Sequence, residues 1–137
     1  MDKKARIYMV DDDTYLVQVV QWVFEAEGYE FFSAHCAKDA LENVDKVNPD
    51  LIILDVMMED VVAGFRVLNA LRNGEDAARN ARYAKVPILM FTSIQQRTKM
   101  KFSQDAGTAL LPTDAFVEKP VQPKLLLEKV AELLSKR

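Results

Sequence analysis

At 137 residues the chain has the size of one compact domain, and an apolar share of 50% excludes a disordered polymer. Lys and Arg number 18 against 21 Asp and Glu, and the resulting net charge of −3 supplies no bulk attraction for nucleic acid or anionic lipid. Cys36 is the single cysteine, which excludes an intrachain disulfide. No apolar run approaches the ~20 residues that span a bilayer, and no signal-peptide pattern follows the charged start Met1-Asp2-Lys3-Lys4. These features predict a cytoplasmic protein with no membrane segment and no direct nucleic-acid contact.

Ile7 to Val10 is a short apolar run of strand formers that ends at Asp11-Asp12-Asp13. From Thr14 the period changes, and Leu16, Val19, Val20 and Val23 follow the spacing of a helix with one buried face. Gly28 stands where a helix C-terminal glycine is expected. Glu30 to Cys36 reads as a second strand, and Ala40, Leu41, Val44 and Val47 as a second helical stripe stopped by Asn48-Pro49-Asp50. Leu51 to Leu54 is apolar at every position, the pattern of a parallel strand covered on both faces.

Phe65, Leu68 and Leu71 predict a third helix starting near Gly64. A polar, alanine-rich stretch from Asn73 to Lys85 precedes a fourth strand over Pro87 to Phe91. A weakly striped helix is expected over about Gln95 to Ala106, then a short strand at Ala115 to Val117. Leu126, Val130, Leu133 and Leu134 mark the last helix. Alternating strands and helices predict an α/β, doubly wound, five-stranded parallel sheet of the flavodoxin-like (βα)5 type, as one domain over 1–137.

In such a sheet, ligands bind beyond the carboxyl ends of the strands. Polar residues gather there: the three aspartates after the first strand, Asp55 after the third, Thr92-Ser93 after the fourth, and Lys119-Pro120 after the fifth. Carboxylates brought together repel one another, and a hard divalent cation such as magnesium relieves that repulsion. Lys119 adds a positive point charge and Thr92 a hydroxyl donor for phosphoryl oxygens. Asp55 then has the surroundings of a nucleophile toward phosphorus. Each residue alone has a common structural use, and for Asp13 a turn or helix-cap role weighs evenly against a functional one. Agreement of four separate strand ends favours the functional reading.

The segments IYMVDDD, PDLIILDVMM with Gly64-Phe65 after it, VPILMFTS and AFVEKP together resemble the receiver domains of two-component response regulators. The resemblance covers almost the whole chain. It implies a phosphoacceptor that assists its own phosphorylation and dephosphorylation without being an enzyme. Asp55 would accept the phosphoryl group, and Asp11, Asp12, Asp55 and the backbone carbonyl of Met57 would hold Mg2+. Thr92 would be the switch hydroxyl, Lys119 the phosphate-binding lysine, and Phe116 the aromatic that changes rotamer. The partner implied is a sensor histidine kinase or phosphotransfer protein, with readout through the face formed by the helix near 95–106, the fifth strand and the last helix. Met57 and Ile94 occupy the two positions that flank the path of the attacking water in the family, and both are apolar, which implies a long-lived phosphorylated state.

Departures from the family pattern are Glu59 in place of the usual proline, a long stretch from Arg72 to Val86, and the added segment Gly107 to Asp114. One receiver domain is expected over 1–137 with no output domain inside it, whether the receiver stands alone or is part of a longer protein. A competing phosphatase of the haloacid-dehalogenase type wants Thr or Val where Tyr15 stands. A receiver that acts only as a binding module fits poorly with the complete set Asp11, Asp12, Asp55, Thr92 and Lys119. Elsewhere, Cys36 is expected to be a small buried or half-buried residue, His35 a surface residue, Met57-Met58 loop packing, and Trp22 partly buried. Arg97, Lys99 and Lys101 are expected to form a solvated face.

Overall fold

The computed structural model describes residues 5–55, 63–93, 115–119 and 122–135. Among these the elements run β1 (Arg6–Val10), α1 (Thr14–Ala26), β2 (Glu30–Ala34), α2 (Ala37–Val47), β3 (Leu51–Asp55) and α3 (Ala63–Asn73). They continue with α4 (Ala77–Tyr83), β4 (Ile88–Ser93), β5 (Ala115–Lys119) and α5 (Pro123–Ser135). The five strands form one sheet in the order β2-β1-β3-β4-β5, parallel at every pairing. The chain reverses its direction of travel across the sheet between β1 and β3, and a crevice opens at such a switch point.

Alternation along the strands divides the core into two layers. Tyr8, Val10, Ile52, Leu54, Ile88 and Met90 pack with α2 and α3 through Ala40, Val44, Val67, Leu68 and Leu71. Ile7, Met9, Leu51, Ile53, Leu89 and Phe91 pack with Val17, Val20 and Phe24 of α1 and Leu126, Val130 and Leu133 of α5. Every residue of β3 is buried, as its unbroken apolar run requires. Each fully buried Val, Leu, Ile or Phe contributes about 1.5–3 kcal/mol relative to exposure. Tyr8 keeps its hydroxyl satisfied in this core by donating to the Ala40 carbonyl at 3.0 Å. Burial, then the nearby Asp39 and Cys36, push that phenol up to about 12.

Local chemistry sets the helix ends. Asp13 caps α1, its Oδ1 accepting from the Leu16 N–H at 3.1 Å. Gly28 takes φ 91° just past the end of that helix. Cys36 caps α2 through Sγ, with the Asp39 N–H at 3.5 Å, and is of intermediate exposure as expected. Asn48 closes α2 in the left-handed region at φ 51°.

Two expectations are corrected. The buried stripe of α1 runs through Val17, Val20 and Phe24, with Leu16 and Val23 only partly buried. That rotation carries Trp22 outward, where it is 64% exposed instead of partly buried. The polar, alanine-rich stretch after α3, for which no element was expected, contains a helix, α4. Asp76 caps it by accepting from the Arg79 N–H at 3.1 Å, and the Asn80 amide clasps Gly74, accepting from its N–H at 3.1 Å and donating to its carbonyl at 2.7 Å. A Cβ at Gly74 would stand 2.6 Å from the Ala70 carbonyl oxygen, so this tight turn needs glycine.

Tyr83 anchors α4 against α2. It is 1% exposed, and its hydroxyl donates to Asp45 at 2.5 Å. Arg79 and Arg82 pair with the same carboxylate at 3.5 and 3.2 Å, and Arg82 also donates to the Asn48 side-chain oxygen at 3.0 Å. The Tyr83 hydrogen bond, aided by both arginines, holds Asp45 below the usual carboxylate range. Burial, then the bond to Asp45, raise Tyr83 well above the usual phenol value.

Candidate functional site

Strand ends bring the acidic residues together. Asp11 follows β1 directly and is fully buried, with its backbone N–H donating to the Ala34 carbonyl at 3.0 Å. Asp55 ends β3 and is 1% exposed. Asp12 is exposed between two differently engaged neighbours. One carboxylate oxygen from each of Asp11, Asp12 and Asp55 lies within 4.8 Å of the other two. Among the described residues this is the one His/Cys/Asp/Glu group with metal-ligand spacing. Oxygen-only ligands with one open, solvent-facing member suit a hard cation that keeps waters, and magnesium fits this donor set.

Asp13 stands apart from that cluster. Its carboxylate is spent on the α1 cap, while its backbone N–H donates to Asp11 Oδ1 at 2.9 Å. One Asp11 oxygen is thereby steered by the first turn of α1. His35 is exposed as expected, yet its Nδ1 lies 3.2 Å from the Asp11 carbonyl oxygen. The sequence gives no signal for this contact, which arises because β2 runs beside β1 in register. The cap was legible: Asp13 precedes the first helical residue, and Leu16 is the third residue after it.

On the other side of β3, register places the remaining positions by backbone. Asp55 is opposite Phe91 in β4, so Thr92 is the next residue along that edge. Thr92 is opposite Glu118, and Lys119, the last residue of β5, is opposite Ser93. Phe116 is opposite Met90, three positions below Lys119 in β5. The expected sites on β1, β3, β4 and β5 therefore share the carboxyl edge or approach it. Met57, Glu59, Ile94, Pro120 and the segment Gly107 to Asp114 lie outside the described residues, as do Met58, the helix expected near 95–106 and its Arg97, Lys99 and Lys101.

A sheet of this order with an acidic cluster at its switch point defines a class, and comparison with known proteins assigns it. The model of the response regulator receiver domain family matches residues 7–131. The chain belongs to that family, the receiver domains of two-component systems. Among curated proteins it is 28% identical over 136 residues to the alkaline phosphatase synthesis transcriptional regulatory protein PhoP of Bacillus subtilis, covering 98% of this chain and 49% of that one. It is 30% identical over 128 residues to the DNA-binding response regulator MtrA of Mycolicibacterium smegmatis, covering 93% and 49%. The chain thus spans about half the length of these curated relatives.

Among solved structures, the chemotaxis response regulator CheY4 of Vibrio cholerae aligns with TM-score 0.75 at 28% identity, covering 95% of this chain and 98% of that one. A CheY-like receiver domain protein of Methanospirillum hungatei aligns with TM-score 0.72 at 29% identity, covering 97% and 95%. The flavodoxin-like expectation holds. No helix among the described residues is long and apolar enough to cross a membrane.

Proposed function

We propose that the chain is the phosphoacceptor switch of a two-component pathway, with Asp55 taking a phosphoryl group from a phosphohistidine on a sensor kinase or phosphotransfer protein. The observation that carries this reading is the convergence of the Asp11, Asp12 and Asp55 carboxylates within 4.8 Å at the switch point of the sheet. Asp55 forms the new bond to phosphorus as the bond from phosphorus to the histidine nitrogen breaks, and the leaving imidazole takes up a proton. Asp11, Asp12, Asp55 and the Met57 carbonyl are the residues that would hold Mg2+. When bound, the ion supplies positive charge against the phosphoryl oxygens and against carboxylate repulsion.

The protein's own groups do the positioning. Asp11 is fixed by the Asp13 N–H, so the acidic pair is oriented before any ligand arrives. Lys119, at the end of β5, is the proposed cation for a phosphoryl oxygen, and Thr92, one residue past the Asp55 register position, the proposed hydroxyl donor. Phe116 is the proposed reporter that changes rotamer with Thr92. Such a protein is consumed and restored in each signalling cycle as a phosphoacceptor and is not an enzyme in the ordinary sense.

Incubation with acetyl phosphate and magnesium tests the reading. The intact mass should rise by one phosphoryl group in wild type and remain unchanged in Asp55→Asn or when EDTA removes the metal. Labelling that is indifferent to EDTA, or that persists undiminished in Asp55→Asn, would overturn it.

A further inference from the structure

Asp12 has the least support of the three clustered carboxylates. Asp11 and Asp55 are buried at the sheet edge, whereas Asp12 is exposed, so packing does little to hold its side chain. What holds it lies in the backbone on either side. The peptide unit before Asp12 carries the Asp11 carbonyl, and His35 Nδ1 lies 3.2 Å from that oxygen. A carbonyl oxygen only accepts, so Nδ1 is the donor. The peptide unit after Asp12 carries the Asp13 N–H, which donates to Asp11 Oδ1 at 2.9 Å. Each peptide unit is planar, so a tie at its oxygen or its N–H restrains the whole plane. The Asp12 Cα is the joint between two tied planes, and its φ and ψ are restrained from both sides.

His35 is itself firmly based. Val10 is opposite Ala34 in the sheet, and the Asp11 N–H donates to the Ala34 carbonyl at 3.0 Å. His35 is the next residue, and Cys36 after it caps α2 by accepting from the Asp39 N–H at 3.5 Å. The imidazole thus projects from backbone pinned between β2 and α2, and reaches across to the loop that carries Asp12. Its ring is exposed, so burial of apolar surface is not the use of this contact.

We infer that His35 is a positioning residue of the magnesium site: its Nδ1–H holds the Asp11–Asp12 peptide so that the Asp12 carboxylate is oriented for the ion. This rests on the reading of Asp11, Asp12 and Asp55 as magnesium ligands. His35 is not a member of the ligand cluster and acts through the backbone. A ligand that is already oriented loses less conformational freedom on binding, so affinity rises without a further contact to the metal.

Calorimetric titration of the full chain with magnesium, at one fixed pH, tests this. His35→Leu, similar in size but without a donor, should raise the magnesium Kd about fivefold or more. His35→Asn places an amide N–H where Nδ1 stands, and its Kd should stay within about twofold of wild type. The metal-free Tm of both variants should shift by less than about 2 °C, as for other exposed positions. In labelling by acetyl phosphate, His35→Leu should raise the half-saturating magnesium concentration by the same factor as the Kd. The rate at saturating magnesium should fall less than about twofold.

A smaller rise in Kd for His35→Leu would overturn the inference, as would a comparable rise for His35→Asn. A larger fall in the metal-free Tm would also overturn it, since His35 would then support the fold at large. Wild type that binds no magnesium would overturn both this inference and the metal site beneath it. Magnesium binding that depends on His35, in protein that acetyl phosphate never labels, would support the inference and remove the acceptor reading alone.

Discussion

Asp13 donates its backbone N–H to Asp11 Oδ1 at 2.9 Å while its own carboxylate caps α1. The two residues are tied together, yet only Asp11 faces Asp12 and Asp55 as a ligand. Three consecutive aspartates therefore do three different things, and substitution should separate them. Asp13→Ala should cost about 1 kcal/mol of stability by removing a helix cap, and should slow labelling only modestly. Asp12→Ala should leave stability without metal nearly unchanged, because that side chain is exposed.

Magnesium should distinguish the same pair thermodynamically. At several times its Kd, the ion should stabilise wild type by about 1 kcal/mol, a rise of about 4 °C in Tm. Asp13→Ala should retain that increment and Asp12→Ala should lose it. Melting curves with and without millimolar magnesium read both. A wild-type Tm indifferent to magnesium would contradict the carboxylate site.

The clasp between α2 and α4 should respond to acid. Asp45 is held below the usual carboxylate range, chiefly by the Tyr83 hydroxyl. A carboxyl with a depressed value stabilises the folded state above its ordinary pKa, and that contribution disappears as pH falls through the depressed one. Asp45→Asn should thus be destabilised relative to wild type at neutral pH, by no more than about 1 kcal/mol because the carboxylate is half exposed to solvent. The difference should disappear as pH falls below the usual carboxylate range. Denaturant titrations at several pH values check this, and a difference that grows with acidity would contradict it.

The apolar pair Met57 and Ile94 should lengthen the life of the phosphorylated state. Neither side chain can orient a water by hydrogen bonding, and nucleophile positioning is a large part of phosphoryl-transfer catalysis. Decay in magnesium should be faster in Met57→Asn with Ile94→Glu than in wild type. Glu59→Pro tests whether the nearby carboxylate guides water. Equal decay in wild type and the polar double variant would show that these side chains do not set the lifetime.

Strand identities were legible because hydrophobic runs such as Leu51 to Leu54 stop abruptly at a polar residue that the fold needs at its edge. The same abrupt stops pointed to Asp11 and Asp55, whose carboxylates the structure brings together. The α4 helix was not legible, because its stability comes from one buried residue, Tyr83, and from partners in α2 that are distant in sequence. The phase of α1 was misread for a related reason. Leu16, Val17, Val19, Val20 and Val23 offer two overlapping apolar stripes, and only the sheet beneath chooses between them. That choice put Trp22 in water, which a single-sequence pattern treats as an aromatic to be buried.

The proposed switch requires that one particular carboxylate, that of Asp55, takes the phosphoryl group. Borohydride reduces an acyl phosphate to the alcohol, so a phosphorylated aspartate becomes homoserine with release of phosphate. After labelling with acetyl phosphate in magnesium, reduction and peptide sequencing should find homoserine at position 55 and aspartate intact at positions 11, 12 and 13. Homoserine at any of those three, or intact aspartate at position 55 in protein that has gained the phosphoryl mass, would contradict the account.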